Sequence, residues 1–219
     1  MAGSSVTIGA REGGRSDAFI IGVREENLLT ILIIRHAEKP GEAWPGPGYD
    51  GEGVEDKKSL VIRGWQRAGA WAAQFGAGLG GADYPQPGAI YAARPETDDE
   101  GPEPSARPYE TIIPLSARLK LDPNVDFAKT QGKELAARLI QAMGVVLVSW
   151  EHKAIVEDLL PALVGDQHID GLPTEWKEDR FDAVLRLDRP APDARWSFRQ
   201  LSPQLLSGDS NRPVDKRSE

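Results

Sequence analysis

Two short apolar runs, far apart in the chain, each lead directly to a histidine. Residues 28–34 are followed by the pair that ends in His36, and residues 145–150 by the pair that ends in His152. Runs of this length, bounded by polar loops, are typical of strands buried on both faces of a parallel sheet. Because open α/β sheets bind ligands outside the carboxyl ends of their strands, both histidines are predicted to lie where such folds carry out chemistry.

Other segments alternate between strand and helix patterns in the same way. The remaining predicted strands are residues 89–93 and an antiparallel edge hairpin, residues 181–187 and 196–201. Amphipathic spacing predicts helices at residues 64–75, 105–119 with Ser105 as the N-cap and Pro114 as a kink or break, 130–143 and 152–163. The alternation predicts a three-layer α/β/α sandwich whose sheet is mostly parallel with an antiparallel edge.

The composition suits one domain and excludes several kinds of site. The 219 residues carry a net charge of −8, which argues against a nucleic-acid or anionic-membrane surface, and they include no cysteine, which excludes thiolate chemistry. The folded domain is predicted at residues 27–209, after a partly mobile segment at 1–26 and before a polar, mobile tail at 210–219. No apolar stretch has the length of a membrane span or a signal-peptide core, so a cytoplasmic location is expected.

Arginines accompany both histidines. Arg35 directly precedes His36, and Arg107 falls in the first turn of a predicted helix, where backbone N–H groups also favour an anion. The two arginines and the two histidines are predicted to converge from separate strand–helix junctions. Clustered cations need an anion between them, and two arginines would repel a metal ion. A phosphate suits the set, because a guanidinium binds its oxygens in a fork and a neutral imidazole can attack phosphorus.

Five segments are informative as an ordered set that spans about residues 28–209. They are Arg35-His36-Ala37-Glu38, Arg63 to Ala68, Ser105-Ala106-Arg107-Pro108-Tyr109-Glu110-Thr111, Val145 to His152, and Leu205 to Asp209. In this order they resemble the histidine phosphatase superfamily, which includes the cofactor-dependent phosphoglycerate mutases. Ala37 stands where that family has a glycine, and Ser105 is one residue closer to the arginine than usual. The resemblance implies a phosphoglycerate mutase-like fold.

The resemblance also implies a role for each member of the cluster. His36 would be the nucleophile that forms a phosphohistidine, Arg35 and Arg107 would hold the non-bridging oxygens, and His152 would donate a hydrogen bond to the pentacoordinate state. No metal ion or other cofactor is implied. Since His36 must be neutral at the attacking nitrogen, its other ring nitrogen is expected to donate to a backbone carbonyl or a carboxylate.

The identity of the general acid is left open by the sequence. Glu151 adjoins the second histidine and is favoured over Asp126, although a capping or surface role fits Glu151 equally well. Glu38 is expected to pair with Arg35 or Arg63 and to act only structurally.

Several loop residues complete the predicted site. Two acidic loops, residues 39–58 and 94–104, are predicted to cover it as lids, and their carboxylates would favour a neutral or cationic organic phosphate over a highly anionic one. Trp44 and Trp176 are candidates for lining the pocket, whereas His168 is expected to be solvated.

The function predicted from these features is hydrolysis of a small organic phosphomonoester, without a metal ion, through a phosphohistidine. The expected partner is this small molecule, with no nucleic acid or membrane, and the oligomeric state is left open, a homodimer included. One alternative is a phosphoglycerate mutase-like phosphotransferase, which is less favoured because that motif continues into Ser/Thr-x-x-Asn where this chain has residues 39–42, Lys-Pro-Gly-Glu. Another is a phosphate- or phosphoprotein-binding module with little turnover.

Overall fold

The computed structural model describes residues 28–41, 43–95 and 105–215 of the chain. The segment predicted to be mobile at the N-terminus, most of the second acidic loop and the last four residues lie outside the described residues. The predictions made for them are therefore not addressed by the structure.

One five-stranded sheet has the order β2-β3-β1-β4-β5. Its strands are β1 Leu29–Arg35, β2 Ala89–Ala92, β3 Gly144–Trp150, β4 Val184–Arg189 and β5 Ser197–Leu201. Strand β3 pairs in parallel with β1 and β2, whereas β4 pairs antiparallel with β1 and β5. Within this sheet only β4 runs against the other strands, so the predicted mostly parallel sheet with an antiparallel edge is confirmed.

Helices cover both faces of the sheet. They are α1 Ile62–Gly76, α2 Arg107–Leu119, α3 Gly132–Leu139 and a composite segment α4, made of His152–Ala154, a π-helical turn Ile155–Leu159, and Leu160–Val164. No helix among the described residues is both long enough and apolar enough to cross a lipid bilayer.

The two faces of β1 pack against different helices. Ile31 and Ile33 belong to the core formed with α3 and α4, whereas Leu32 and Ile34 belong to the core formed with α1 and α2. Every residue of β1 is buried, as expected for a central strand with a helical layer on each side. The predicted three-layer sandwich is therefore confirmed.

The predicted start of the fourth strand is wrong by three residues. Residues 181–183 precede β4, which begins at Val184. Phe181 instead packs against Arg35, whose guanidinium carbon lies 3.9 Å from the centre of the ring. An apolar side chain that is buried by such a contact cannot be distinguished from a strand residue by hydrophobicity alone.

The predicted N-cap of α2 is wrong. The N-cap is Ala106, and Ser105 only accepts a 3.4 Å hydrogen bond from the backbone N–H of Arg107. Pro114 lies inside α2 without ending it, so the predicted break is also wrong, while the kink stays a prediction. The helix continues because its apolar face is fixed against the sheet, and this packing outweighs the hydrogen bond that proline removes.

The helix predicted at residues 130–143 is shorter in the structure, where α3 ends at Leu139. Leu135 and Leu139 are fully buried, as the four-residue spacing predicts, but Met143 is 70% exposed. The four-residue spacing of apolar side chains continues to Met143, although the helix has already ended and the chain turns towards β3.

The described part of the tail predicted from Ser210, residues 210–215, contacts the folded domain, and the predicted mobility of the tail stays a prediction. The Ser210 N–H donates to Asp182 at 2.5 Å, and the carbonyl of Val214 accepts a 2.9 Å hydrogen bond from the N–H of Lys177. Val214 itself is fully buried. A polar sequence can therefore be fixed by backbone hydrogen bonds that its composition does not reveal.

Candidate active site

The carboxyl ends of β1 and β3 bring the two histidines to one edge of the sheet. Arg35 pairs with Trp150 in the parallel register, and the N–H of His36 donates to the carbonyl of Trp150 at 2.9 Å. A cavity of about 590 Å³ opens at this edge and is lined by His36, Arg107, Glu151 and His152 among others. The predicted convergence of strand ends is therefore observed.

His36 is buried and held as the neutral tautomer that attack on phosphorus requires. Its Nδ1 lies 2.8 Å from the carbonyl oxygen of Ala37, to which it donates, so Nε2 carries the lone pair. Burial first, and then the positive charge of Arg35, hold the pKa of His36 well below its ordinary value. This contact is the backbone partner that the sequence analysis expects for a nucleophilic imidazole.

Arg35 is completely buried and is not one of the residues that line the cavity. Its Nη1 donates to the carbonyl oxygens of Lys177, Glu178 and Arg180 at 3.1, 3.0 and 3.0 Å. The buried Nε and Nη2 have no hydrogen-bond partner among the described residues, and burial lowers the pKa of Arg35 to about 9. A cation with two unsatisfied N–H groups is stabilised by an anion that supplies their acceptors.

Arg107 is the first residue of α2 and lines the cavity. Its Nη2 donates to the carbonyl of Lys57 at 2.7 Å, and its Nε lies 3.4 Å from the carbonyl of Ser59. A single turn before α1 therefore fixes the direction of this guanidinium.

Thr111 connects α2 to the loop that carries His36. Its hydroxyl donates to the carbonyl of Arg107 at 2.7 Å and accepts a 2.8 Å hydrogen bond from the N–H of Ala37. The threonine, which the sequence analysis notes only as part of a motif, thus holds the arginine-bearing helix in register with the histidine. Its spacing of four residues from Arg107 is the signal that indicates this role.

Glu151 pairs with His152 and caps the helix that follows. Its Oε1 lies 2.6 Å from Nδ1 of His152, and its Oε2 accepts a 2.8 Å hydrogen bond from the N–H of Ala154. Burial alone would raise the pKa of Glu151, but the hydrogen bonds from His152 and from the backbone lower it to about 2. Without a ligand, Glu151 is therefore an ionised partner of His152 and is not protonated as a resting general acid would be.

The other two carboxylates considered for the site lie outside it. Asp126 is exposed, accepts a hydrogen bond from Asn124 and does not line the cavity. Glu38 is fully buried and binds Arg67 with two oxygens at 2.8–3.0 Å and Arg63 at 3.3 Å. The structural role expected for Glu38 is confirmed, with Arg67 as the main partner in place of Arg35.

Sequence reasoning missed several cations of the cavity. They are Lys39, Arg94, Lys129 and Lys153. Burial lowers the pKa of Lys39, and the positive charges of Arg107 and Arg35 lower it further. The ammonium group therefore lies in the field of the two arginines that are predicted to bind phosphate. The position of Lys39 directly after the Arg-His-Ala-Glu segment is the signal that indicates this location.

The predicted acidic lid is not observed in the described part of the first loop. Asp50 and Asp56 accept hydrogen bonds from the backbone of their own turns, and no acidic residue that is described in this loop lines the cavity. The acids that do line it come from other segments and are Glu151, Glu157, Asp158 and Glu178.

A second cavity of about 860 Å³ adjoins the first and shares Lys39 and His152 with it. Trp44 and Trp176 both line this second space and not the first cavity, so they lie beside the predicted site without lining it. His168 lies elsewhere, 90% exposed at its side chain and 3.1 Å from Asp170. The described residues contain no cluster of three or more His, Asp or Glu side chains arranged to hold a metal ion.

Known structures resemble the fold. The protein histidine phosphatase SixA, determined in complex with tungstate, is 14% identical with a TM-score of 0.50, over 80% of this chain and 97% of that protein. A phosphoglycerate mutase from Bacillus anthracis str. Sterne is 13% identical with a TM-score of 0.48, over 81% and 94%. A mycobacterial glucosyl-3-phosphoglycerate phosphatase is 15% identical with a TM-score of 0.46, over 78% and 97%. No family profile and no curated protein sequence matches the chain. The similarity to SixA shows that this chain shares the fold of that protein.

Proposed function

We propose that this chain hydrolyses phosphate monoesters through a phosphohistidine formed on His36. The observation that carries the proposal is the buried, neutral ring of His36, whose Nδ1–H is fixed by the carbonyl of Ala37. This leaves Nε2 as a nucleophile beside a cavity and within the field of two arginines. The unsatisfied N–H groups of Arg35 support the same conclusion, because phosphate oxygens are suitable acceptors for them.

The reaction has two steps. In the first, Nε2 of His36 bonds to phosphorus while the bond to the ester oxygen breaks, and the leaving oxygen takes a proton from an acid in the site. In the second, water attacks phosphorus, the phosphorus–nitrogen bond breaks, and the proton of the water returns to that acid. Arg107 and His152, which line the cavity, donate to the non-bridging oxygens throughout. Arg35 does not line the cavity, and its buried Nε and Nη2, which have no partner among the described residues, are the groups that would donate to the same oxygens. Preorganised donors of this kind stabilise the transition state by several kcal/mol.

Glu151 is the proposed acid, and we propose that bound substrate raises its pKa so that it can carry a proton. A carboxylate with a pKa of about 2 holds no proton near neutral pH. A phosphate dianion in the same cavity adds negative charge beside Glu151 and competes for the proton of His152, and both effects raise the pKa of the carboxyl group. Asp126 is set aside because it does not line the cavity.

The described cavity lining carries charges of both signs. Lys39, Arg94, Lys129 and Lys153 add positive charge around the predicted phosphate site, and Glu157, Asp158 and Glu178 add negative charge. The lining therefore supports no preference for the charge that the ester carries besides its phosphate. The proposed substrate remains a small organic phosphomonoester.

Hydrolysis of p-nitrophenyl phosphate in the presence of EDTA tests the proposal. We expect turnover by the wild-type chain, together with a phosphoryl adduct that survives alkali and is lost in acid. His36→Asn should abolish both signals, whereas His168→Asn, the matched control at an exposed ring, should retain the wild-type rate. A His36→Asn protein that folds and still turns over would contradict the proposal.

The low pKa of Glu151 also fits a binding module that holds a phosphate group without turnover. Such a protein would bind tungstate or inorganic phosphate but release no p-nitrophenol under any condition. A phosphotransferase would instead require an acceptor alcohol for product formation. The same assay with and without acceptor alcohols therefore distinguishes the three functions.

A further inference from the structure

The hydroxyl group of Ser59 lies between two carboxyl groups. Its Oγ is 2.7 Å from Oδ2 of Asp56 and 2.5 Å from Oε1 of Glu110. A serine hydroxyl has one hydrogen and can donate to only one of them. Both short contacts are satisfied as full hydrogen bonds when one of the carboxyl groups is itself protonated and donates to Ser59.

Glu110 is the carboxyl group that carries this proton. It is buried, with 4% of its surface exposed, whereas Asp56 is half-buried. Asp56 Oδ1 also accepts a 3.2 Å hydrogen bond from the N–H of Lys58, which favours its ionised form. Oε2 of Glu110 accepts from the N–H of Leu60 at 2.9 Å, so Oε1 is the oxygen left to donate.

The electrostatic surroundings support the same assignment. Burial raises the pKa of Glu110 to about 7, and the nearby charge of Asp56 adds to this effect. The contact with Ser59, the hydrogen bond from the N–H of Leu60 and the positive charge of Arg107 act in the opposite direction without cancelling it. Asp56 from the turn and Arg107 from the same helix are the charged groups that act on Glu110.

The turn that Glu110 holds is also the turn that holds Arg107. The carbonyls of Lys57 and Ser59 accept the hydrogen bonds from the Arg107 guanidinium, and the carbonyl of Lys58 accepts from the N–H of Ala106 at 3.3 Å. Glu110 lies one helical turn after Arg107 and binds the same segment. The position of the phosphate-binding arginine therefore depends on how this turn is anchored.

We propose that Glu110 is a positioning residue whose proton keeps the turn at residues 56–60 in place, so that loss of this proton weakens anion binding by Arg107. Once Glu110 ionises, it and Asp56 compete for one serine hydrogen and repel each other. The negative charge also draws the Arg107 guanidinium away from its carbonyl acceptors. The inference deepens the proposed function, on which it rests, by giving the same site a pH-dependent element that does not touch the substrate.

Tungstate binding from about pH 6 to about pH 8 tests this inference without requiring turnover. We expect the affinity of the wild-type chain for tungstate to fall by on the order of tenfold across neutral pH. This is the largest change that one coupled proton can cause per pH unit. Glu110→Gln should bind as tightly as wild type at the acidic end and should lose the decline, because its amide donates to Ser59 at every pH. Glu134→Gln, the same change at an exposed glutamate of α3, should titrate like wild type.

A second variant tests the direction of the coupling. Asp56→Asn removes the charge that raises the pKa of Glu110, so the decline in affinity should move to lower pH. The unfolding free energy provides a measurement that needs no ligand. Because the folded-state pKa of Glu110 exceeds its unfolded value of about 4.5, wild type should lose stability as pH rises from that value to about 7. Glu110→Gln should lack this component.

The outcomes separate this inference from the proposed function. Tungstate binding that follows the predicted pH dependence without any hydrolysis would refute the proposed function and leave the role of Glu110 standing. Hydrolysis with an unchanged pH profile of tungstate binding in Glu110→Gln would overturn the role of Glu110 and leave the proposed function standing.

Discussion

Glu151 combines two contacts that are seldom compatible with donating a proton. One oxygen binds Nδ1 of His152 at 2.6 Å and the other caps the following helix at Ala154. A carboxylate held in this way can fix the orientation of the His152 imidazole, whose Nε2 is buried and has no hydrogen-bond partner among the described residues. Whether the carboxyl group also protonates the leaving oxygen is a separate property, and the two roles have different kinetic signatures.

The effect of Glu151→Gln should depend on the leaving group. A nitrophenolate leaves without full protonation, whereas an alkoxide requires a proton in the transition state. If Glu151 is the acid, the substitution should slow an alkyl phosphate by about 10²–10⁴-fold and p-nitrophenyl phosphate much less. If Glu151 only orients His152, kcat/KM should fall equally for both substrates, which steady-state kinetics with the two esters would reveal.

The residues of the site that the sequence predicts are those with a chemical signature. His36, Arg107 and His152 each follow a strand or begin a helix, so their convergence follows from the fold. Thr111 and Glu110 act by holding backbone groups of distant loops, at Ala37 and Leu60. Such contacts depend on how loops pack and could not be predicted from residue type.

Helix α1 contains two glycines whose surroundings differ sharply. A Cβ atom at Gly64 would lie 2.5 Å from the carbonyl oxygen of Glu38 and 3.0 Å from Cβ of Leu60, whereas nothing lies within 4 Å of such an atom at Gly69. Gly64 therefore permits α1 to approach the backbone just after the His36 loop. The N–H of Val61 also donates to the same Glu38 carbonyl at 3.1 Å.

Substitution of each glycine by alanine should change stability in opposite directions. Gly64→Ala should destabilise the fold by about 1–3 kcal/mol, because backbone atoms cannot move aside as a flexible side chain can. Gly69→Ala should stabilise it by about 0.5–1 kcal/mol, since alanine is the better helix former and the position is exposed. Urea unfolding of both variants checks this, and equal effects at the two positions would contradict the packing argument.

Strands proved more predictable than helices for a physical reason. The central strands β1 and β3 are apolar along their length because helices cover both faces, and their predicted bounds hold to within one residue. Helix bounds depend on local turns and caps. Tertiary packing determines that α3 ends before Met143 and that α2 continues through Pro114. The spacing of apolar residues carries no information about this packing.

At the scale of the whole molecule, one buried ion network connects the beginning and the end of the domain. Arg67 of α1 donates to Glu38 through Nε and Nη2, and to Asp209 through Nη1 and Nη2 at 3.1 and 2.7 Å. Both carboxylates and the arginine are at most 2% exposed at their side chains. The hydrogen bonds that Arg67 donates to both acids outweigh the effect of burial and raise the pKa of Arg67 above its ordinary value.

Asp209→Asn should destabilise the protein by about 2 kcal/mol at neutral pH, since it removes charge-assisted hydrogen bonds from a buried arginine. Burial acts against ionisation, but the hydrogen bonds from Arg67 hold the pKa of Asp209 below its ordinary value. The stabilising contribution is therefore fully present above about pH 4, the unfolded value, and is lost as pH falls through the lower folded value. Unfolding free energies of wild type and variant should converge in acid, and a constant gap would contradict this assignment.

Asp209 leaves the ribosome after every other residue discussed for the site. Until it arrives, Arg67 has only Glu38 to bind, and the segment that begins at His36 lacks its final anchor. A chain cut before this aspartate would retain both histidines but hold them on a loosened scaffold. Proteolytic removal of a segment that includes Asp209 should therefore loosen the site without removing any of the described residues that line its cavity.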